Sequence, residues 1–187
     1  MNEEKAALRR LLRFRRCGFT DDAGAAMLAI HAVVIARVAL NAVDGARSIA
    51  AYLSNGREVD AMPLVERACA AGIRTALPHI DRPGGAMRFL NWRPGDPLHK
   101  GPYDILQPFA RADECVPEAI IAPLVAFDRA GHRLGQGGGF YDRAFAAFPD
   151  ARRVGLAWSV QEIAQVPVAS WDQPLHAVIT EREWILF

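Results

Sequence analysis

Ala119-Ile120-Ile121-Ala122-Pro123-Leu124-Val125-Ala126-Phe127, then Asp128-Arg129-Ala130-Gly131-His132, then Arg133-Leu134-Gly135-Gln136-Gly137-Gly138-Gly139-Phe140-Tyr141-Asp142-Arg143, decide the reading of this chain. The first segment is an apolar run closed by turn residues, which predicts a buried strand over 119–127. Four glycines follow in five positions, Gly135 to Gly139. Each would weaken a helix or strand by about 1 kcal/mol relative to alanine, so the run belongs where backbone takes positive φ or lies against a ligand. Tyr141, Phe145 and Phe148 then recur at i, i+4 and i+7, the apolar face of a helix. A glycine loop that feeds a helix N-terminus aims free N–H groups and a partial positive charge at one spot, and that spot suits a phosphate.

No Gly-Lys-Ser/Thr closes the loop, and it lacks the Gly-x-Gly-x-x-Gly spacing, so neither a Walker site nor a dinucleotide fingerprint is present. A flexible surface hairpin is the plain alternative. Against it stand Arg133 and Arg143 on either side, and Asp142 in the first helical turn, where a carboxylate is well placed to hold Mg²⁺.

Pro123 to Asp128, Gly131, Arg133 to Gly135 and Gly137 to Arg143 resemble the signature of the 5-formyltetrahydrofolate cyclo-ligases, with Phe140 in place of that signature's first tyrosine. The resemblance is strongest over 119–148 and extends more weakly to both ends. It implies an ATP site formed by Lys5, Arg9 and Arg133 to Tyr141 (Leu134, Gly135, Gln136, Gly137, Gly138, Gly139 and Phe140 included). It also implies a folate site with Leu53, Glu58, Met87, Phe89, Gln136 and Gly138, and Mg²⁺ at Asp142. Many members carry Glu where this chain has Gln107. Some place a second metal-associated Asp where it has His176, for which Asp172 is the substitute candidate.

Outward from this centre, 187 residues suit one domain, 1–187, with a substantial core. A net charge of +1 implies no general affinity for nucleic acid or membrane. Cys17, Cys69 and Cys115 are isolated, which reads as reduced thiols rather than zinc ligands. With no signal peptide or transmembrane run read, the expectation is a soluble cytoplasmic protein with no obligate protein partner.

Asn2 to Arg16 predicts a helix with an apolar stripe of Leu8, Leu11 and Leu12 and a cationic face of Lys5, Arg9, Arg13 and Arg16. That face is either solvated, as charge runs usually are, or reaches phosphate through Lys5 and Arg9. Asp21 to Leu40 predicts a second helix. Strands are expected at 48–53, 73–78, 87–92, 153–159 and 176–181. Asp60 is the expected N-cap of a helix to about Ala71, closed by Gly72. For Met87 and Phe89, cleft lining and core packing are equally good readings. Tyr141 either packs on a ligand or anchors its helix. The alternation of strands with helices predicts an α/β fold, a three-layer sandwich with a largely parallel central sheet flanked by helices.

The expected chemistry follows from equipment for holding a triphosphate, with no nucleophile elbow and no paired catalytic carboxylates. Phosphoryl transfer needs positioning and charge neutralisation above all. The resemblance implies that ATP phosphorylates the formyl oxygen of 5-formyltetrahydrofolate, after which the substrate's own N10 closes the ring. Arg133, Arg143 and Tyr141 are then the candidate catalytic residues. A nucleotide-binding relative without that activity, or a kinase for another small acid, are the alternatives.

Overall fold

The computed structural model describes residues 2–187. Its centre is a seven-stranded sheet in the order β11-β10-β9-β6-β1-β2-β3. In chain order these are β1 (Ser48–Ala50), β2 (Arg74–Ile80), β3 (Met87–Asn91), β6 (Ala119–Pro123), β9 (Arg152–Leu156), β10 (Ala177–Ile179) and β11 (Trp184–Leu186). The five inner strands are parallel, and β3 and β11 close the edges antiparallel. Two small hairpins complete the strands: β4 (Leu98–Lys100) with β5 (Leu106–Pro108), and β7 (Ala126–Phe127) with β8 (Arg133–Leu134).

Period-two alternation divides the sheet's side chains between two faces. Ile49, Ala119, Ile121 and Val154 pack with Ile35 and Ala39 of α1 (Asn2–Ala42) and Leu64 and Ala68 of α2 (Met62–Ala70). Ala50, Ile120, Ala122 and Val178 pack with Ala144 and Phe145 of α3 (Phe140–Ala147). The three-layer α/β sandwich read from the sequence is the observed architecture. Because α2 connects β1 to β2 on one face and α3 connects β6 to β9 on the other, the sheet changes direction of winding between β1 and β6. Open α/β sheets bind their ligands at such a switch point, beyond the carboxyl ends of the strands.

Several local expectations are corrected. The run 119–127 is two strands, not one. Pro123 has no N–H to extend the ladder, and beyond it the Val125 N–H turns to Leu134 O at 2.8 Å in the β7–β8 hairpin. α1 is two helical segments joined at Gly24 (φ 73°, ψ 158°), a non-helical conformation that glycine adopts without strain, so the break between the two expected helices falls at Gly24 and not between Arg16 and Asp21. Leu12 is buried but Leu11 is exposed, so the apolar stripe is narrower than the pattern suggested. The N-cap of α2 is Ala61. Asp60 still caps by accepting the Met62 N–H at 3.0 Å. The strands β4, β5, β8 and β11 have no counterpart among the expected elements. An 18-residue window of α1, with mean hydropathy 2.0, is long and apolar enough to cross a membrane by length and composition, contrary to the expectation of no such run. Ile35, Ala36 and Ala39 of that helix pack against the sheet.

Candidate active site

α1 and the loop after β8 lie side by side because Leu12 is buried with Val125, Ala126 and Leu134 in a small cluster of its own, against which Leu8 packs. That packing turns the cationic face of the helix onto the glycine loop. Lys5 Nζ lies 2.7 Å from Asp172 Oδ2. Arg9 Nε donates to Gly135 O at 2.8 Å, and its guanidinium lies over Gly137. Arg13 donates to Gln136. Three cations, one turn apart, therefore meet three points of one surface. Burial first, and then the like charge of Arg13, pull Arg9 below the usual guanidinium range, with Asp172 opposing.

Gly137 (φ 107°) and Gly139 (φ 64°) take backbone conformations that disfavour side chains, and Gly139 is the N-cap of α3. A Cβ on Gly138 would come within 2.8 Å of the Phe140 ring. Phe140 lies flat enough on the loop to be flanked by Tyr103 (6.0 Å, edge-on) and the Arg143 guanidinium (5.0 Å). Arg143 also donates to Gly138 O at 3.2 Å.

At the switch point, Gln136 Nε2 donates to Glu58 Oε1 at 3.0 Å, joining the glycine loop to the segment that follows β1. The second oxygen, Oε2, accepts the Asn55 N–H at 2.9 Å. Tyr141, in the first turn of α3, is pushed well above the ordinary phenol pKa by burial and then by the nearby Glu58 charge.

Arg133 is buried. It donates to Asp142 Oδ1 at 2.7 Å and to Gln173 O at 2.5 Å, and sits 4.5 Å from the Phe145 ring. Gln173 returns its backbone N–H to the same Asp142 oxygen at 3.2 Å. No hydrogen bond reaches Asp142 Oδ2 among the described residues. In Asp172, burial would raise the carboxyl pKa, but bonds from Lys5 and the Ala169 N–H hold it below the usual range. Among the described residues no group of three or more His, Cys, Asp and Glu forms a self-sufficient metal cage. Mg²⁺ is more often held by one or two carboxylates together with substrate phosphates. A carboxylate oxygen beside the glycine loop, as on Asp142, fits that requirement.

The candidate residues thus fall into one neighbourhood with some exceptions in how they face it. Phe89 is fully buried and lies 5.8 Å from the Phe148 ring, and Leu134 is buried beneath the loop, so both serve the site through packing. Met87 and Tyr141 pack partly buried on the same core, and Leu53 is partly buried near α1 and α2. His176 is bonded to Arg153, not to Asp142 or Asp172. Gln107 is buried, bonded to both the N–H and the carbonyl of Ile80, a pair that needs one donor and one acceptor. Two contributors escaped the sequence reading. Arg13 carried a spacing signal, as the next turn after Lys5 and Arg9, while Gln173 acts through its backbone and carried none.

A sequence profile of the 5-formyltetrahydrofolate cyclo-ligase family matches residues 1–181. The chain belongs to that family. The 5-formyltetrahydrofolate cyclo-ligase of Escherichia coli strain K12 is 38% identical, over 74% of this chain and 82% of that one. The Haemophilus influenzae cyclo-ligase is 31% identical over 75% and 80%. The solution structure of Aquifex aeolicus 5,10-methenyltetrahydrofolate synthetase superposes with a TM-score of 0.79 at 25% identity, covering 97% of this chain and 92% of that one. The Mycoplasma pneumoniae synthetase, at 20% identity and a TM-score of 0.72, shares the fold. This cyclo-ligase is therefore an enzyme of the ligase class.

Proposed function

We propose that this cyclo-ligase converts 5-formyltetrahydrofolate to 5,10-methenyltetrahydrofolate with ATP and Mg²⁺, releasing ADP and phosphate. The observation that carries the reading is the 3.0 Å bond from Gln136 to Glu58, because it joins a phosphate-type loop to a carboxylate at the sheet's switch point. Glu58 suits the donor edge of a pterin, since a carboxylate accepts two N–H bonds side by side. Lys5, Arg9 and the N–H groups of Gly135 to Gly139 suit the triphosphate, with the α3 N-terminus behind them.

Two ligands that meet there can react without an enzyme nucleophile. The formyl oxygen attacks the terminal phosphorus and ADP leaves. N10 then adds to the activated formyl carbon and gives up its proton to solvent, and the former formyl oxygen leaves as phosphate, its bond to carbon broken. The substrate's own nitrogen is the nucleophile, and proximity does the rest. Arg143, which reaches back to the loop through Gly138 O, is the cation suited to the transferred group. Arg133 instead holds Asp142 in place. Asp142, with Asp172 nearby, would hold Mg²⁺, which when bound neutralises phosphate charge. The free, isolated cysteines suit a reducing compartment such as the cytoplasm.

The test is formation of the methenyl chromophore when ATP, Mg²⁺ and 5-formyltetrahydrofolate are supplied together and omitted in turn. The reading predicts product only with all three. Steady ATP hydrolysis that ignores folate would favour a different small-molecule kinase, and no turnover at all would favour a nucleotide-binding relative.

A further inference from the structure

Arg13 stands one helical turn beyond Arg9, and its guanidinium spends two donors on one acceptor. Nε and Nη2 both point at Gln136 Oε1, at 3.1 and 2.5 Å. The other end of that amide, Nε2, donates to Glu58 Oε1 at 3.0 Å. An amide has an acceptor at one end and a donor at the other. Turned over, Gln136 would set N–H groups against the guanidinium and a carbonyl oxygen against the Glu58 carboxylate, two repulsive contacts in place of two attractive ones. The charge on Arg13 thus selects the amide orientation that offers a donor to Glu58. With Asn55 N–H on Oε2, both carboxylate oxygens are then held from the protein side.

We propose that Arg13 is a positioning residue for the folate. It fixes Gln136, and through Gln136 the plane of Glu58, so that the carboxylate meets the pterin already oriented. This inference rests on the reading of Glu58 as the folate carboxylate.

Steady-state kinetics on the full-length enzyme test it, comparing Arg13→Met, Glu58→Gln and the double variant. Arg13→Met is expected to raise the folate KM by about three- to tenfold and leave the ATP KM within about twofold. In the Glu58→Gln background the same substitution should add nothing further, since the group it acts through has changed. Arg13→Lys, which keeps one donor and the charge, should recover much of the folate KM, a rescue that a merely structural role would not require. A rise in ATP KM instead would make Arg13 a phosphate ligand and overturn the proposal. So would an equal effect in both backgrounds, or no effect in either. If Glu58→Gln itself leaves the folate KM unchanged, it is the functional reading that fails, and this inference with it.

Discussion

Glu58 and Asp142 are carboxylates with different neighbours, and the neighbours decide what each substitution does. Glu58 is bonded to an amide and a backbone N–H, and among the described residues no cation is paired with it. Glu58→Gln should therefore leave stability and ATP dependence nearly unchanged and raise the folate KM by roughly tenfold or more, as loss of a charged hydrogen-bond partner costs on the order of 1.5–3 kcal/mol. Kinetics with folate and ATP varied in turn check it. Asp142 is different, because the buried Arg133 leans on it. Asp142→Asn should depress kcat, raise the Mg²⁺ requirement and also destabilise the fold by about 2 kcal/mol, since a buried guanidinium loses its counter-charge. Mg²⁺ titration of activity together with urea unfolding separates the two effects. At this scale the sequence was legible where residue type and spacing coincide. Lys5 with Arg9 and the run Gly135 to Asp142 announce themselves. The relay through Arg13 was not legible, because a third cation on a charged face reads as solvated until the loop is seen beside it.

The helix and the loop act as one unit. Lys5 and Arg9 hold this unit together as well as serving the proposed nucleotide site, for Lys5 pins Asp172 and Arg9 pins the Gly135 carbonyl. The double substitution Lys5→Ala with Arg9→Ala should raise the ATP KM far more than the folate KM. It should also lower stability by about 1–2 kcal/mol, more than a solvated face would lose. Steady-state kinetics and thermal unfolding read both. Gly138→Val should abolish turnover by pushing Phe140 off the loop, a displacement that fluorescence-independent methods such as proton NMR of the ring would register. Elements announced by periodicity were found, and those built by unusual turns were not. The β10–β11 hairpin turns at Thr180 to Glu183 without glycine or asparagine. There the Thr180 hydroxyl accepts the Arg182 and Glu183 N–H groups, a local bond no residue pattern advertised. Likewise the continuous apolar run 119–127 hid the break after Pro123, because both pieces are buried, in different sheets.

For the whole molecule, two carboxylates, the buried Asp128 and the partly buried Asp172, tie the loops around the site to the sandwich and make its stability sensitive to acid. Asp128 accepts the Ala130, His132 and Val166 N–H groups, each at 2.9 to 3.0 Å, which fastens the β7–β8 hairpin to the segment before Val166. Burial would raise its pKa, but these bonds together hold it below the usual range, as Lys5 and Ala169 do for Asp172. With both groups lower in the folded state, the unfolded chain takes up protons first as the pH falls. Their contribution is therefore complete above about 3.9, the ordinary Asp value, and is lost as the pH drops through the folded values. Urea unfolding followed from pH 5 down to about 2 should show this decline, and Asp128→Asn should flatten it while lowering stability at neutral pH. The central claim is that one site brings ATP and the folate together and that the phosphoryl group passes between them. The stoichiometry of ADP released to methenyl product formed tests it most directly. The account predicts one ADP for each methenyltetrahydrofolate, and no ADP without the folate. ADP released with no methenyl product would contradict it.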